Sequence, residues 1–273
     1  MGREEVKVQL EDKAKKLTQV LLGYERVAVA FSGGVDSSLL LACALKTLGA
    51  GNVLPVFADS CLLKQAERER ALGFLKRNGF PGAVELIVVE LHPLAWKEFV
   101  RNPEDRCYLC KLRIYKQFRD VLEHHGFRLL VDGTNTDDLK VGRPGLRAIR
   151  ELGVKTPLVE AGFDKSDVRE YSRRLQLDTW DMPSASCLFT RIPHGLEVTQ
   201  ERLERIDRWE NELETLGFRG CRTKLDSNDN AVVYLELEKA DLERLVRSDM
   251  RTIVVHLFRK QGVNKIYLDL AGR

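Results

Sequence analysis

The stretch Val27-Ala28-Val29-Ala30-Phe31-Ser32-Gly33-Gly34-Val35-Asp36-Ser37-Ser38 decides the fold of this chain. Arg26 to Phe31 is a short apolar run bounded by Gly23 and by Gly33-Gly34, which reads as a buried strand. Asp36 to Leu48 reads as a helix that Gly49 and Gly51 stop. Between them, Gly33 and Gly34 let the backbone turn sharply and approach an anion closely. The helix start then offers free N–H groups and the positive end of its dipole. Ser32, Ser37 and Ser38 add hydroxyl donors. Asp36 would oppose a phosphate unless a cation intervenes, so it reads as a Mg²⁺ ligand. No Gly-Lys-Ser/Thr follows, and the string is not Gly-x-Gly-x-x-Gly, so the two commonest phosphate-loop signatures are excluded.

Working outward, residues 4–22 carry Val6, Leu10, Ala14, Leu17 and Leu21 at helical spacing. Asn52–Ala58 is a second strand, Lys64–Asn78 a helix, Val84–Leu91 a third strand and Arg113–His125 a helix. Arg128–Val131 is a fourth strand that runs into Asp132-Gly133-Thr134-Asn135. This alternation predicts an α/β fold, a parallel sheet with helices on both faces. Ligands in such sheets sit at the carboxyl ends of the strands, which puts Asp59 and Gly133 beside the Ser32–Ser38 loop as nucleotide ligands. Leu139–Pro157 and Met182–Gly195 read as irregular. Lys165–Leu175 reads as a helix capped by Asp164 or Ser166. After Gly195 the pattern changes to a long helix (198–216), strands at 221–225 and 231–237, helices at 241–246 and 251–261, and a strand at 265–270. The expected division is residues 1–194 as the α/β domain and 195–273 as a small α+β domain.

Composition bounds the reading. Of 273 residues, 44% are hydrophobic and 31% charged, which excludes disordered and collagen-like classes. The net charge of +3 argues against a nucleic-acid partner. The longest apolar run, Leu39–Leu45, is too short to span a membrane, and the N-terminal residues hold no apolar signal region, so a cytoplasmic protein is expected. Six cysteines are too few for a disulfide scaffold and are expected to be thiols, ligands or nucleophiles. Cys43 and Cys221 read as structural, and Cys61, after the second strand, reads as a core or surface residue with a place near the nucleotide as the alternative. Cys107 and Cys110 have metal-ligand spacing, which alone fits zinc, iron–sulfur, redox chemistry or chance. A closed zinc site would need two more ligands, and no second Cys-x-x-Cys or His-x₃-His exists.

Ser32–Ser37 resembles the pyrophosphate (PP) loop of the N-type ATP pyrophosphatases, an adenine nucleotide alpha hydrolase-like fold. That superfamily includes NAD, GMP and asparagine synthetases and several tRNA thiolases. Three further segments narrow the resemblance: Arg106-Cys107-Tyr108-Leu109-Cys110-Lys111, Gly142-Arg143-Pro144-Gly145-Leu146-Arg147-Ala148, and Pro183-Ser184-Ala185-Ser186-Cys187-Leu188-Phe189-Thr190-Arg191-Ile192-Pro193-His194-Gly195. From about residue 10 to the end, the chain is similar to the sulfur transferases that build the nickel-pincer nucleotide cofactor of lactate racemase. The resemblance implies a homo-oligomer that uses ATP and Mg²⁺ to adenylate the carboxylates of a nicotinate-derived pyridinium dicarboxylate mononucleotide and turn them into thiocarboxylates. In one form of the family the sulfur comes from a sacrificed cysteine, at whose position Cys187 falls. In the other, three cysteines hold a [4Fe-4S] cluster, and Cys107, Cys110 and Cys187 match that set. The sacrificial form lacks the Cys-x-x-Cys pair, so the cluster form is expected here, with sulfide or a sulfur-donor protein as the source.

Chemistry is compatible with either form, since a thiolate displaces AMP from an acyl adenylate better than water does. Arg191 could lower the Cys187 thiol pKa or hold a carboxylate or phosphate. Lys111 could neutralise pyrophosphate or a carboxylate. Arg143 and Arg147 are expected to face an anionic substrate. Arg222 and Lys224 share one face of a strand and fall where the family places ligands for the substrate phosphate. Each of these cations also fits a solvated surface charge. A tRNA thiolase, a PP-loop amidotransferase and an adenine-nucleotide sensor are the competing readings. The first needs a basic RNA-binding surface, and the second leaves the three cysteines unused.

Overall fold

The computed structural model describes residues 3–142 and 144–273. The chain divides into two compact units. The first comprises residues up to Ser60, Ala66–Leu91 and Asp105–Met182, and the second comprises Cys61–Gln65, His92–Glu104 and Pro183–Arg273.

In chain order the elements up to Met182 are α1 (Arg3–Tyr24), β1 (Val27–Phe31), α2 (Val35–Leu48), β2 (Val53–Asp59), α3 (Gln65–Arg77), β3 (Ile87–Glu90), α4 (Lys97–Val100), α5 (Arg106–His124), β4 (Leu130–Asp132), α6 (Thr136–Lys140), α7 (Gly145–Glu151), α8 (Pro157–Ala161) and α9 (Lys165–Arg174). The strands form a parallel sheet in the order β3-β2-β1-β4. All five residues of β1 are buried, as expected for a strand covered on both faces. Ala28 and Ala30 join Leu54 and Val56 in a core cluster with Tyr115, Phe118 and Leu122 of α5 and Leu146 and Ile149 of α7. On the opposite side, Phe31 meets Phe74 of α3 with ring centroids 5.1 Å apart, and α2 packs on β1 and against α1 and α9.

The expected α/β architecture is therefore present, with two local differences. The Cys107–Cys110 pair lies inside the first turns of α5, which begins at Arg106, seven residues before the expected Arg113. The stretch 139–157, expected to be irregular, contains α7, whose Leu146, Ala148 and Ile149 recur at helical spacing and are buried. The glycines and prolines there end and start short helices.

The second unit holds α10 (Gln200–Thr215), β5 (Arg222–Leu225), β6 (Val232–Glu236), α11 (Lys239–Val246), α12 (Ser248–Lys260) and β7 (Lys265–Leu268). Its sheet runs β5-β6-β7, with β5 antiparallel and β7 parallel to β6. Trp209 of α10 meets Phe258 of α12 with ring centroids 5.5 Å apart. The unit begins at Pro183 rather than 195 and takes in two earlier segments. Asn102, fully buried, explains one: its side chain donates to the carbonyls of Pro193 (2.6 Å) and Leu196 (2.9 Å), and its own carbonyl accepts from Gly195 N (3.0 Å).

Phe118 is 2% exposed at the centre of the cluster between sheet and α5. Phe118→Ala is expected to lower the unfolding free energy by about 3–5 kcal/mol, measured by denaturant titration.

Candidate active site

The chain runs from β1 through β2 to β3 on one side and returns to β4 on the other, so the topological switch point lies between β1 and β4. The Ser32–Ser38 loop leaves β1 at that point. Gly33 has φ +74°, and a Cβ there would lie 2.8 Å from Cβ of Ala71, so both backbone angle and space demand glycine. Gly34 precedes the first turn of α2. The Ser37 hydroxyl donates to the Gly34 carbonyl (3.1 Å) and accepts from Ser32 N (3.1 Å), with the Ser32 hydroxyl 2.9 Å away. The serines thus fix the turn itself, and the α2 N-terminus faces the switch point. The buried Ser38 hydroxyl has no hydrogen-bond partner among the described residues.

Gly133, just after β4, packs directly on this turn: a Cβ would lie 2.8 Å from Ser37 N and 3.0 Å from its Cα. Asn135 follows. Its side-chain oxygen caps α6 by accepting from Asp137 N (2.9 Å), and its amide donates to Asp36 Oδ1 (2.9 Å). Lys165, at the start of α9, reaches Asp36 Oδ2 at 2.5 Å, while its backbone N–H donates to Asp137 (3.0 Å). Asp36, the expected Mg²⁺ ligand, is thus paired with an ammonium group here. Sequence reasoning misses Asn135 and Lys165 as parts of this site. The capping signal at Asp164 is local, but nothing local links the residue after it to Asp36.

The other carboxylates at this edge also have cations. Arg68 of α3 grips Asp59 with Nε 2.8 Å from Oδ1 and Nη2 2.6 Å from Oδ2. Lys111 reaches Asp132 at 3.1 Å and lies over the Tyr115 ring. Asp132 also accepts from Thr134 N (2.8 Å) and from the hydroxyls of Thr134 and Tyr115. Burial would raise the Asp132 carboxyl, but Lys111, Thr134 and Tyr115 outweigh it and hold it below its usual value.

Cys107 is half-buried and Cys110 buried near the start of α5. The buried Arg106 guanidinium hydrogen-bonds the Cys107 side chain. Arg147 lies over the Tyr108 ring (4.3 Å) and pairs with Glu151 (2.8 Å), which also accepts from the Tyr108 hydroxyl (2.7 Å). Arg147, expected to face substrate, is largely exposed and also ties α7 to the cysteine-bearing turn. Arg143 lies outside the described residues.

In the second unit, Cys187 is half-buried and precedes a short 3-10 helix, Leu188–Arg191. Its carbonyl accepts from Thr190 N (3.0 Å) and from Arg191 Nη1 (3.1 Å). Arg191 is 3% exposed. Nη1 also donates to the Ser186 carbonyl (2.7 Å), and Nε and Nη2 donate to the two oxygens of buried Glu210 (2.9 and 3.1 Å). Arg191, expected to act on the thiol or a substrate anion, is here the clamp of the loop that carries the thiol. Sequence spacing could not reveal Glu210, which lies on α10. Cys43 and Cys221 are core thiols that burial pushes up to about 12, as their structural reading requires. Burial also raises the Cys61 thiol.

Arg222 and Arg273 both approach the Ser184 carbonyl (3.4 and 3.3 Å). Arg222 Nε is buried without a partner among the described residues. Burial, then the charges of Arg273 and Arg191, pull its pKa down to about 10. Arg273 also has Glu238 Oε1 at 3.9 Å, so the unsatisfied Arg222 Nε is the donor here that suits an anion. Sequence reasoning misses Arg273 here, because a C-terminal arginine carries no local signal of what it packs against. Lys224 pairs with Glu236 and is already neutralised. Among the described residues, no group of three or more His, Cys, Asp or Glu side chains is placed to hold a metal ion.

A glycine-turned loop at the switch point of a parallel sheet, with a helix start facing the crevice, defines a nucleotide-binding α/β protein of the PP-loop type. No family model matches the chain. It is 34% identical over 263 residues to an uncharacterized protein of Synechocystis, covering 96% of this chain and 95% of that protein. It is 31% identical over 264 residues to the pyridinium-3,5-bisthiocarboxylic acid mononucleotide synthase of Lactiplantibacillus plantarum, covering 96% and 92%. A glutamine-hydrolyzing GMP synthase polypeptide of Archaeoglobus fulgidus is 28% identical over 164 residues, 56% of this chain and 51% of that protein. The chain belongs to the family of the pyridinium-3,5-bisthiocarboxylic acid mononucleotide synthases and is an enzyme. No helix among the described residues is long and apolar enough to cross a membrane.

Gly133→Ala is expected to cost about 1–3 kcal/mol, because the atoms its Cβ meets are backbone, and to weaken ATP binding. Urea unfolding and ATP titration calorimetry check the two effects. The lowered Asp132 pKa contributes stability that is present above the unfolded value of about 3.9 and is lost as pH falls through the folded value. Asp132→Asn should flatten this acid limb of the unfolding free energy.

Proposed function

We propose that this chain activates the carboxylates of a pyridinium dicarboxylate mononucleotide with ATP and replaces carboxylate oxygen by sulfur, giving the thiocarboxylates of a nickel-pincer cofactor. The observation that carries this reading is the family match over 96% of the chain, joined to a PP-type loop at the switch point. ATP would lie on the Ser32–Ser38 turn, with its phosphates at the α2 N-terminus. Asp36 would exchange Lys165 for Mg²⁺, which frees an ammonium group for the departing pyrophosphate. Lys111 is held at the carboxyl end of β4 by Asp132, at the same edge. The substrate phosphate suits the Arg222–Arg273 pair, where a dianion relieves the repulsion between two guanidinium groups.

Sulfur reaches the acyl adenylate through the Cys187 loop. The donor chemistry of Cys107, Cys110 and Cys187, three thiols, suits a [4Fe-4S] cluster, which when bound would offer an open iron for sulfide. The cluster reading rests on this donor chemistry and on the family resemblance. A second reading, with Cys187 itself as the sacrificed sulfur donor, is favoured by the half-buried placement of this thiol on a clamped loop. The protein is proposed to be cytoplasmic and a homo-oligomer.

Anaerobic protein given ATP, substrate and sulfide should release AMP and pyrophosphate and yield a product in which sulfur replaces oxygen, read by mass spectrometry; without added sulfide only the sacrificial form gives product, once per chain. Iron and sulfide in wild type that disappear in Cys107→Ala and in Cys187→Ala identify the cluster form. Iron-free protein that turns over once and leaves dehydroalanine at 187 identifies the sacrificial form. Arg222→Ala should raise KM for the mononucleotide about 10–100-fold with a smaller change in kcat, since a phosphate held throughout the reaction contributes uniform binding.

A further inference from the structure

One buried cation has no part in the chemistry above. Lys64 lies in Cys61–Gln65, the stretch that leaves the loop after β2 yet belongs to the second unit. Its side chain is 5% exposed, and Nζ reaches Glu210 Oε2 at 2.7 Å and Glu214 Oε1 at 2.9 Å. Glu210 is fully buried and accepts from Thr223 N (2.9 Å) as well as from Arg191. Arg191 in turn holds the carbonyls of Ser186 and Cys187. Two residues before Lys64, the Leu62 carbonyl accepts from Leu188 N at 2.9 Å. The stretch 61–65 therefore grips both neighbours of Cys187: Leu188 directly, and Ser186 through Glu210 and Arg191.

Stability alone does not explain such an arrangement. Taking an ammonium, a guanidinium and a carboxylate out of water costs several kcal/mol per ion, and apolar side chains of similar size often stabilise a core as well or better. What buried ions supply is direction, because each donor must meet its acceptor at one distance and angle. The direction set here ends at the peptide that carries the Cys187 thiol.

We propose that Lys64 is a positioning residue for Cys187, acting through Glu210 and Arg191 to hold the Ser186–Cys187 peptide in one orientation for sulfur transfer. This rests on the reading of Cys187 as the sulfur-handling thiol. Without Lys64, Glu210 keeps Arg191 and Thr223 as partners but loses its tie to the 61–65 stretch, so the fold persists while the thiol loses its fixed direction.

The test uses full-length Lys64→Met and Lys64→Arg beside wild type, with thermal unfolding as the folding control. Three quantities are followed: the pyrophosphate burst and thiocarboxylate yield, with sulfide supplied, and, on protein freed of iron by a chelator, the rate of Cys187 alkylation by iodoacetamide, mapped by mass spectrometry with Cys107 as internal reference. For Lys64→Met the burst should persist, sulfur transfer should fall about 10–100-fold, and the Cys187 alkylation rate should change at least about threefold against Cys107. Lys64→Arg should recover most of both losses, which a role in packing alone would not produce. Wild-type alkylation and sulfur transfer in Lys64→Met overturn the proposal, and so does a parallel loss of burst and transfer. If Lys64→Met does not fold, Lys64→Gln carries the same comparison. A wild type that forms no thiocarboxylate overturns the proposed function, and the alkylation rates then still decide whether Lys64 orients Cys187.

Discussion

The missing Cβ of Gly133 is the constraint on which the nucleotide edge depends. Only without it can the chain leaving β4 lie against the backbone of Ser37. That contact brings Asn135 within reach of Asp36, and the α6 turn capped by Asn135 presents Asp137 to the backbone of Lys165. Strand order places β4 beside β1, but the close approach of two backbones turns neighbouring strands into one binding edge.

At that edge the carboxylates are balanced by their own cations: Asp36 by Lys165, Asp59 by Arg68, Asp132 by Lys111. A ligand bearing phosphates and a divalent ion would bring both signs of charge and so would exchange these partners rather than meet a bare field. The opposite holds at the Ser184 carbonyl, where Arg222 and Arg273 stand together and the Arg222 pKa falls to about 10. One edge is arranged for exchange of ions, the other for gain of an anion.

The Cys187 loop is held by charge rather than by apolar packing alone. Phe189 does pack on Phe99, yet the carbonyls beside the thiol are fixed by Arg191, whose buried partner Glu210 is shared with Lys64. Buried ion pairs are a costly route to stability and a good one to a defined orientation, and the orientation defined here is that of the Ser186–Cys187 peptide.

Much of this was legible in the sequence. Alternating apolar runs and helical spacing specified a parallel α/β sheet, because those periods are local and each face must be buried. Gly33 marked the turn between β1 and α2, because its need for an unusual backbone angle is also local. The quoted cysteine segments marked the family. What the sequence by itself could not determine is which charge meets which. Lys165 is 129 residues from Asp36 and Glu210 is 146 from Lys64, and nothing local foretells that Arg191 pairs with Glu210. Ion pairs form between groups brought together by the whole fold, and no periodicity along the chain encodes them. The tertiary structure alone decided which cation meets which carboxylate.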